Sequence, residues 1–178
     1  MENMKNDKFN YDTVVIGAGP AGMMAAISAA ENGARAILIE KNDTAGKKLM
    51  LTGGGRCNIT NLEPDLRRLA ANYGKAGAFL FRAFSEFGPR DAVEFFNDLG
   101  VKTAIEDNNR AFPKSGQARE VLAALLRRLE ELKVEIVYGA KVIEIKKKDD
   151  LISGIALEGG KIIAAANYVI ATGGKSYP

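Results

Sequence analysis

The chain has 178 residues, 47% hydrophobic and 26% charged, with no His, no Trp and one Cys, a length that suits one domain with a real core. Without His the chain cannot supply a Ser-His-Asp triad, a Cys-His pair, an HExxH zinc site or an imidazole base, so no metal site is expected. A lone Cys excludes an internal disulfide framework and a CxxC pair, which fits a reducing, cytoplasmic setting, and a net charge of +3 is too small to indicate a nucleic-acid partner.

Residues 1–10 form a polar tail of mixed charge without an apolar h-region, so neither a secretory signal nor an anchor is expected. No apolar run approaches the ~20 residues of a membrane span. Thr13–Ile16 (TVVI) then reads as a buried strand. Pro20–Asn32 reads as a helix with Ala21, Ala25 and Ala29 on one face, closed by Gly33. A second buried strand, Ala36–Ile39, ends at Glu40, completing a βαβ unit whose crossover should be right-handed.

Lys41–Leu62 has little periodicity and much Gly, Thr and Asn, so an ordered loop with at most a short helix is expected; loops of this length are usually functional. Helices are predicted over Asp65–Tyr73, Ala78–Phe87 and Arg90–Leu99, a strand over Val101–Ile105, and a turn at Asp107–Arg110. Ala111-Phe112-Pro113 leads into a long amphipathic helix, Gln117–Leu132, striped by Leu122, Leu125, Leu126 and Leu129. Val134–Val137 is a strand. Lys141–Lys147, Ile152–Leu157 and Lys161–Ala165, joined by short turns, predict an antiparallel three-stranded meander. Tyr168–Ala171 is a last strand-like run before Thr172-Gly173-Gly174.

The chemistry concentrates first at Gly17-Ala18-Gly19-Pro20-Ala21-Gly22, a GxGxxG between predicted strand and helix. Gly17 permits the tight turn, Gly19 lets a pyrophosphate approach the backbone, and Gly22 lets the helix pack close to the sheet. No Lys or Arg lies in the turn, so backbone N–H groups and the helix dipole must hold the anion. Glu40, 18 residues after Gly22, sits where a carboxylate accepts hydrogen bonds from both ribose hydroxyls and repels a 2′-phosphate. Together these features point to a dinucleotide site of the non-phosphorylated kind.

The charge is unevenly placed. Residues 1–40 net −2, residues 41–75 net +4, residues 76–150 balance and residues 151–178 net +1. The positive excess therefore falls on the segment containing Gly46–Asn61, with Lys47, Lys48, Arg56 and three consecutive glycines, Gly53-Gly54-Gly55. Such backbone can lie flat against a large planar ligand, and its cations suit a diphosphate or an anionic reduced flavin. This favours FAD over NAD as the resident dinucleotide. Lys146-Lys147-Lys148, followed by two aspartates, reads as a solvated strand end.

The combination of VVIGAGPAGMMAA, Glu40-Lys41, AGKKLMLTGGGRCNITN, RAFPKSGQA and VIATGG resembles the BaiN/YhiN-type flavoproteins, FAD-dependent oxidoreductases also labelled aminoacetone-oxidase-like. The resemblance runs from Tyr11 to Pro178 and implies a Rossmann-like FAD-binding domain of the two-dinucleotide-binding flavoprotein type. It implies that Gly17, Gly19, Pro20, Ala21 and Gly22 line the diphosphate, with Glu40 and Lys41 at the adenosine ribose. It implies further that Lys47, Lys48, Thr52, Gly53, Gly54, Gly55, Arg56, Cys57 and Asn58 run along the flavin half. Val142 is expected to meet adenine through its backbone, and Ala171, Thr172 and Gly173 to form a second turn near the diphosphate.

Plainer roles stand beside these. Arg56 reads equally as a clamp on loop carbonyls, Asn58 and Asn61 as turn residues bonding their own backbone, and Cys57 as a small residue in a tight loop rather than a redox thiol. Tyr73 and Tyr177 are the tyrosines to watch as proton donors, with core or surface roles as the alternative. Relatives of this type continue past the second turn through a substrate domain and a final flavin-binding segment. Residues 11–178 are therefore expected to be the N-terminal, flavin-binding portion of a longer enzyme. That parent would move a hydride between NAD(P)H, flavin and a small organic substrate. A fumarate-reductase-like or tRNA-modifying flavoprotein is the nearest alternative, and a non-catalytic dinucleotide-binding or sensing module is the alternative of another class.

Overall fold

Residues 9–174 are described in the computed structural model of the chain. In chain order the elements are β1 (Tyr11–Ile16), α1 (Pro20–Glu31), β2 (Ala36–Ile39), α2 (Lys47–Leu51), β3 (Thr60–Asn61), α3 (Leu66–Ala71), α4 (Gly77–Glu86) and α5 (Pro89–Asp98). They continue with β4 (Thr103–Glu106), β5 (Arg110–Pro113), α6 (Ala118–Glu131), β6 (Glu135–Val137), β7 (Val142–Lys148), β8 (Leu151–Leu157), β9 (Ile162–Ile163) and β10 (Ala165–Ile170). The chain divides into two compact units: residues up to Lys48 together with those from Leu125 onward, and Leu49–Ala124.

In the first unit, β10, β1, β2 and β6 lie side by side in that order, all parallel. Side chains alternate across these strands. Val14, Ile16, Ile37 and Ile39 therefore share one face, and there they cluster with Ile155, Leu157 and Ile163 of the antiparallel sheet β7-β8-β9. Val15 and Leu38 lie on the opposite face and are fully buried; α1, with Met23, Ala26 and Ile27 buried, packs on β1 and β2. A sheet covered on both faces explains why its strands read as unbroken apolar runs. The end of α1 is tied to α6 by Arg128, which donates to Glu31 at 2.8 Å.

The predicted third meander strand, Lys161–Ala165, is shorter than the sequence indicates. Only Ile162–Ile163 pairs with β8, because Ala165 already begins β10, which runs parallel to β1 with Val169 opposite Val15.

The second unit holds α3, α4 and α5 and a small antiparallel sheet of order β3-β5-β4. Asp65 caps α3, accepting from the backbone N–H of Arg67 at 2.8 Å, and Pro89 opens α5. The predicted strand Val101–Ile105 is displaced to Thr103–Glu106: Val101 donates its N–H to Phe96 as part of the exit from α5. Ala111-Phe112-Pro113, read as a lead-in to the long helix, lies in the central strand of this sheet, pairing with β4 on one side and β3 on the other. Among the described residues, no helix is long and apolar enough to cross a membrane.

Candidate functional site

The parallel strands β1, β2 and β10 end at Ile16, Ile39 and Ile170. The residues that follow, Gly17, Glu40 and Ala171, therefore meet at the carboxyl edge of one sheet, where open α/β folds bind ligands. Gly17 has φ +104°, donates its N–H to Ile39, and a Cβ there would lie 2.5 Å from the carbonyl of Ala171. A Cβ on Gly22 would lie 1.8 Å from the carbonyl of Gly17, so this glycine brings the helix against the turn itself.

Gly19 is different. It is the N-cap of α1 with φ −80° and ψ 179°, a conformation open to any residue, and a Cβ there would meet no protein atom within 4 Å. Neither backbone nor packing requires glycine at this position. Glycine is a better N-cap than alanine, and without a side chain it leaves the backbone at the N-terminus of α1 open to close approach. No side chain caps that terminus, and Pro20 and Ala21 at its first positions are exposed.

Glu40 is 7% exposed and its carboxylate is held by the chain. Oε2 accepts from the N–H of Ala18 at 2.8 Å; Oε1 accepts from the N–H of Asn42 at 2.9 Å and from the Asn42 side-chain amide at 2.5 Å. Lys47 donates to the Asn42 amide oxygen at 2.9 Å. The N–H groups of Ala140 and Gly139 donate to the carbonyls of Glu40 and Asn42, so the segment after β6 is tied to the same loop. Burial, with a lesser contribution from the Glu40 charge, pushes the Tyr138 hydroxyl above its ordinary pKa. Lys41 is exposed, and Val142 opens β7 opposite Leu157.

The second turn abuts the first. Ala171 donates its N–H to Ile16, and Gly173 has φ +76°. Lys48 donates to the carbonyl of Gly174 at 2.6 Å, and Gly46 donates to Ala18. Gly17, Gly19, Pro20, Ala21, Gly22, Glu40, Lys47, Lys48, Ala171, Thr172 and Gly173 thus belong to one edge of the first unit.

In the second unit, Thr52–Gly55 forms a tight turn in which Gly53, Gly54 and Gly55 all have positive φ. Gly53 rests on Phe112, whose ring edge would lie 3.0 Å from a Cβ added there. Arg56 pairs with Glu106 and stacks its guanidinium 4.2 Å from the centroid of Phe112, while Arg110 lies 5.7 Å from the same centroid. The hydrogen bond from Arg56 holds Glu106 below the ordinary carboxylate range and raises Arg56 in turn. Arg56 is therefore a clamp, but on a carboxylate and a ring rather than on loop carbonyls.

Cys57 is buried at φ +61°, donates its N–H to the Thr52 carbonyl, and its thiol is pushed up by burial, the opposite of a reactive thiolate. Asn58 is exposed, and Asn61 donates 2.8 Å to the carbonyl of Asn108, bridging to the β4–β5 turn instead of its own backbone. Tyr73 is exposed with its ring centroid 5.6 Å from that of Phe84; Tyr177 lies outside the described residues. Among the described residues, no group of three His, Cys, Asp or Glu could hold a metal ion.

Sequence reasoning missed Asn42, Tyr138 and Glu106. Asn42 carried a faint signal, a polar amide two residues after the strand-end acid; Glu106 carried none, because its partner is 50 residues away.

The chain is similar over most of its length to larger enzymes. It is 33% identical over 165 residues to the 3-dehydro-bile acid delta(4,6)-reductase of Clostridium scindens, covering 91% of this chain and 39% of that protein. It is 29% identical over 176 residues to the ribosomal RNA dihydrouridine synthase of Escherichia coli, covering 94% and 40%. The chain therefore spans about two fifths of the length of these relatives. The open conformation of a flavocytochrome c3 fumarate reductase superposes with a TM-score of 0.72 at 21% identity, covering 97% of this chain and 37% of that one, which shows a shared fold. The family model described as the HI0933-like protein Rossmann domain matches residues 11–178. The chain belongs to that family, the BaiN/YhiN-type group of FAD oxidoreductases whose motifs it carries.

Proposed function

We propose that this chain is the flavin-binding portion of an FAD-dependent oxidoreductase, and that the whole protein passes a hydride between NAD(P)H, flavin and a small organic substrate. The observation that carries the reading is the open N-terminus of α1 at Gly19, where no side chain caps the helix and an added Cβ would meet no protein atom within 4 Å. The donor set agrees: uncapped helix N–H groups for a diphosphate, a buried carboxylate for a ribose, and two lysines at the same sheet edge.

In this reading Gly17, Gly19, Pro20, Ala21 and Gly22 hold the diphosphate with Ala171, Thr172 and Gly173, and Glu40 and Lys41 take the adenosine ribose. Val142 offers backbone to the adenine. Lys47, Lys48 and Thr52–Asn58 serve the flavin half. When bound, the flavin supplies reversible hydride transfer, and the chain's share is orientation and electrostatics. Glu40 excludes a 2′-phosphate by like charge. Gly54 and Gly55 offer backbone without side chains to a flat ligand, whereas Gly53 is held against Phe112.

Titration of the purified chain with FAD, followed by flavin fluorescence, tests this. Saturable quenching, abolished by excess ADP, supports it; a chain that binds ADP-ribose but never FAD refutes it. Addition of NADH or NADPH to the flavin-loaded full-length protein should bleach its visible absorbance.

A second reading concerns the substrate. Leu66–Ser85 contains Arg67, Arg68, Lys75 and Arg82 and no acidic residue, and it exposes Tyr73 and Phe79. Basic and aromatic surface of this kind suits single-stranded RNA, and one relative is named for ribosomal RNA. Binding to an RNA oligonucleotide that weakens steeply with salt and with Phe79→Ala would favour this substrate over a small molecule.

A further inference from the structure

Glu40 and Lys47 are opposite charges on one short loop, yet they do not pair. The Lys47 ammonium ends 2.9 Å from the Asn42 amide oxygen, and the nitrogen of the same amide ends 2.5 Å from Glu40 Oε1. An amide is the side chain that donates with one end and accepts with the other, so both bonds together fix its orientation. The Asn42 backbone is pinned as well, donating to Glu40 and accepting from Gly139.

A carboxylate offers about four acceptor positions. Ala18 takes one on Oε2 and Asn42 takes two on Oε1, which leaves about one, on Oε2, for a ligand hydroxyl. Lys47 has three donors and spends one on Asn42. If the amide were absent, the flexible lysine stem would let the ammonium fall onto Oε1 and capture the acid in a direct ion pair. Each charge would then neutralise the other, and the pair would draw the carboxylate and the ammonium away from the positions in which the amide holds them for a ligand.

We propose that Asn42 is a positioning residue that keeps the Glu40 carboxylate and the Lys47 ammonium apart, so that both remain available to one dinucleotide. This rests on the reading of Glu40 as the ribose acceptor. It extends that reading by assigning the separation of the two charges to a neutral amide between them.

The test is a cycle of variants, each titrated with FAD and with ADP, with the melting temperature of the ligand-free protein as the control for folding. Asn42→Ala should weaken both ligands about ten-fold, the scale of one lost charged hydrogen bond, with little change in melting. Lys47→Met should weaken FAD in the native background but restore part of the lost affinity in the Asn42→Ala background, because no ammonium remains to capture Glu40. Losses that simply accumulate would overturn the proposal. Asn42→Asp, which keeps the acceptor for Lys47 but cannot donate to Glu40, should also weaken ADP at least ten-fold; unchanged affinity would overturn it as well. If Glu40→Gln leaves ADP binding intact, the ribose reading itself has failed, an outcome distinct from additive losses at Asn42 and Lys47.

Discussion

A methyl group added at Gly19 separates a ligand-driven glycine from a packing-driven one. In the ligand-free protein Gly19→Ala meets no atom within 4 Å and keeps φ at −80°. Losing glycine entropy in the unfolded chain favours the variant by up to about 1 kcal/mol, while alanine is a poorer N-cap by a similar amount. Melting should therefore shift by no more than about 3 °C. Binding responds differently: a phosphate oxygen held at about 2.9 Å from a backbone N–H has no room for a methyl beside it, and overpacking of that kind costs about 1–3 kcal/mol. FAD and ADP affinity should fall by about 5- to 150-fold. Gly17→Ala and Gly22→Ala should show the reverse pattern. Their added Cβ atoms would lie 2.5 and 1.8 Å from carbonyl oxygens, so the fold itself should lose about 2–4 kcal/mol. Fluorescence titration and thermal melting of the three variants decide the matter. A Gly19→Ala protein that melts normally and binds FAD with native affinity would refute the placement of a diphosphate at this turn.

Tyr11 donates to Glu135, and that bond holds its hydroxyl up at about 12 against 10.0 unperturbed. Its contribution is therefore complete below pH ~10 and lost as pH rises toward 12. Tyr11→Phe should cost about 0.5–1 kcal/mol in urea melts at pH 8 and flatten the decline of stability above pH 10. Glu106→Gln should leave the urea midpoint close to native, with a smaller effect still at high salt, because Arg56 and Glu106 are both solvent-accessible. A large fall in the midpoint would mean that the clamp carries the glycine turn. Cys57 should be alkylated slowly by iodoacetamide in the folded protein and rapidly in urea; fast labelling of the native state would contradict its burial and raised thiol.

Much of the fold was legible because its signals are local. β1, α1 and β2 follow from an apolar run, a glycine turn and a second apolar run within 30 residues, and the structure differs from the reading by two residues at most at any boundary of these elements. Helices α3, α4 and α5 announce themselves through Asp65, Pro89 and their periodicity. What escaped depends on partners far away in sequence. β5 is four residues long and ends in proline, so nothing in Arg110–Pro113 says strand until Thr60–Asn61 and Thr103–Glu106 lie beside it. The glycine motif was legible as a motif, yet its three glycines serve different masters. Gly17 and Gly22 answer to backbone carbonyls of the protein, while a side chain at Gly19 would meet no protein atom within 4 Å.

The charge of the Gly-rich segment divides the same way. Its excess over residues 41–75 suggests an anionic ligand, but counting charges does not say which cations are free to serve one. Arg56 is already paired with Glu106, so its charge is compensated within the second unit. Lys47 and Lys48 are held instead by neutral oxygens, the Asn42 amide and the Gly174 carbonyl, and among the described residues neither forms an ion pair with a carboxylate. A hydrogen bond to a neutral acceptor orders a lysine without cancelling its charge. Cations already ordered by neutral oxygens suit the diphosphate proposed above, since the ordering cost has been met before the ligand arrives. On the proposed reading, the attraction for a dinucleotide comes first from Lys47 and Lys48 in the first unit, because the charge of Arg56 in the second is already paired with Glu106.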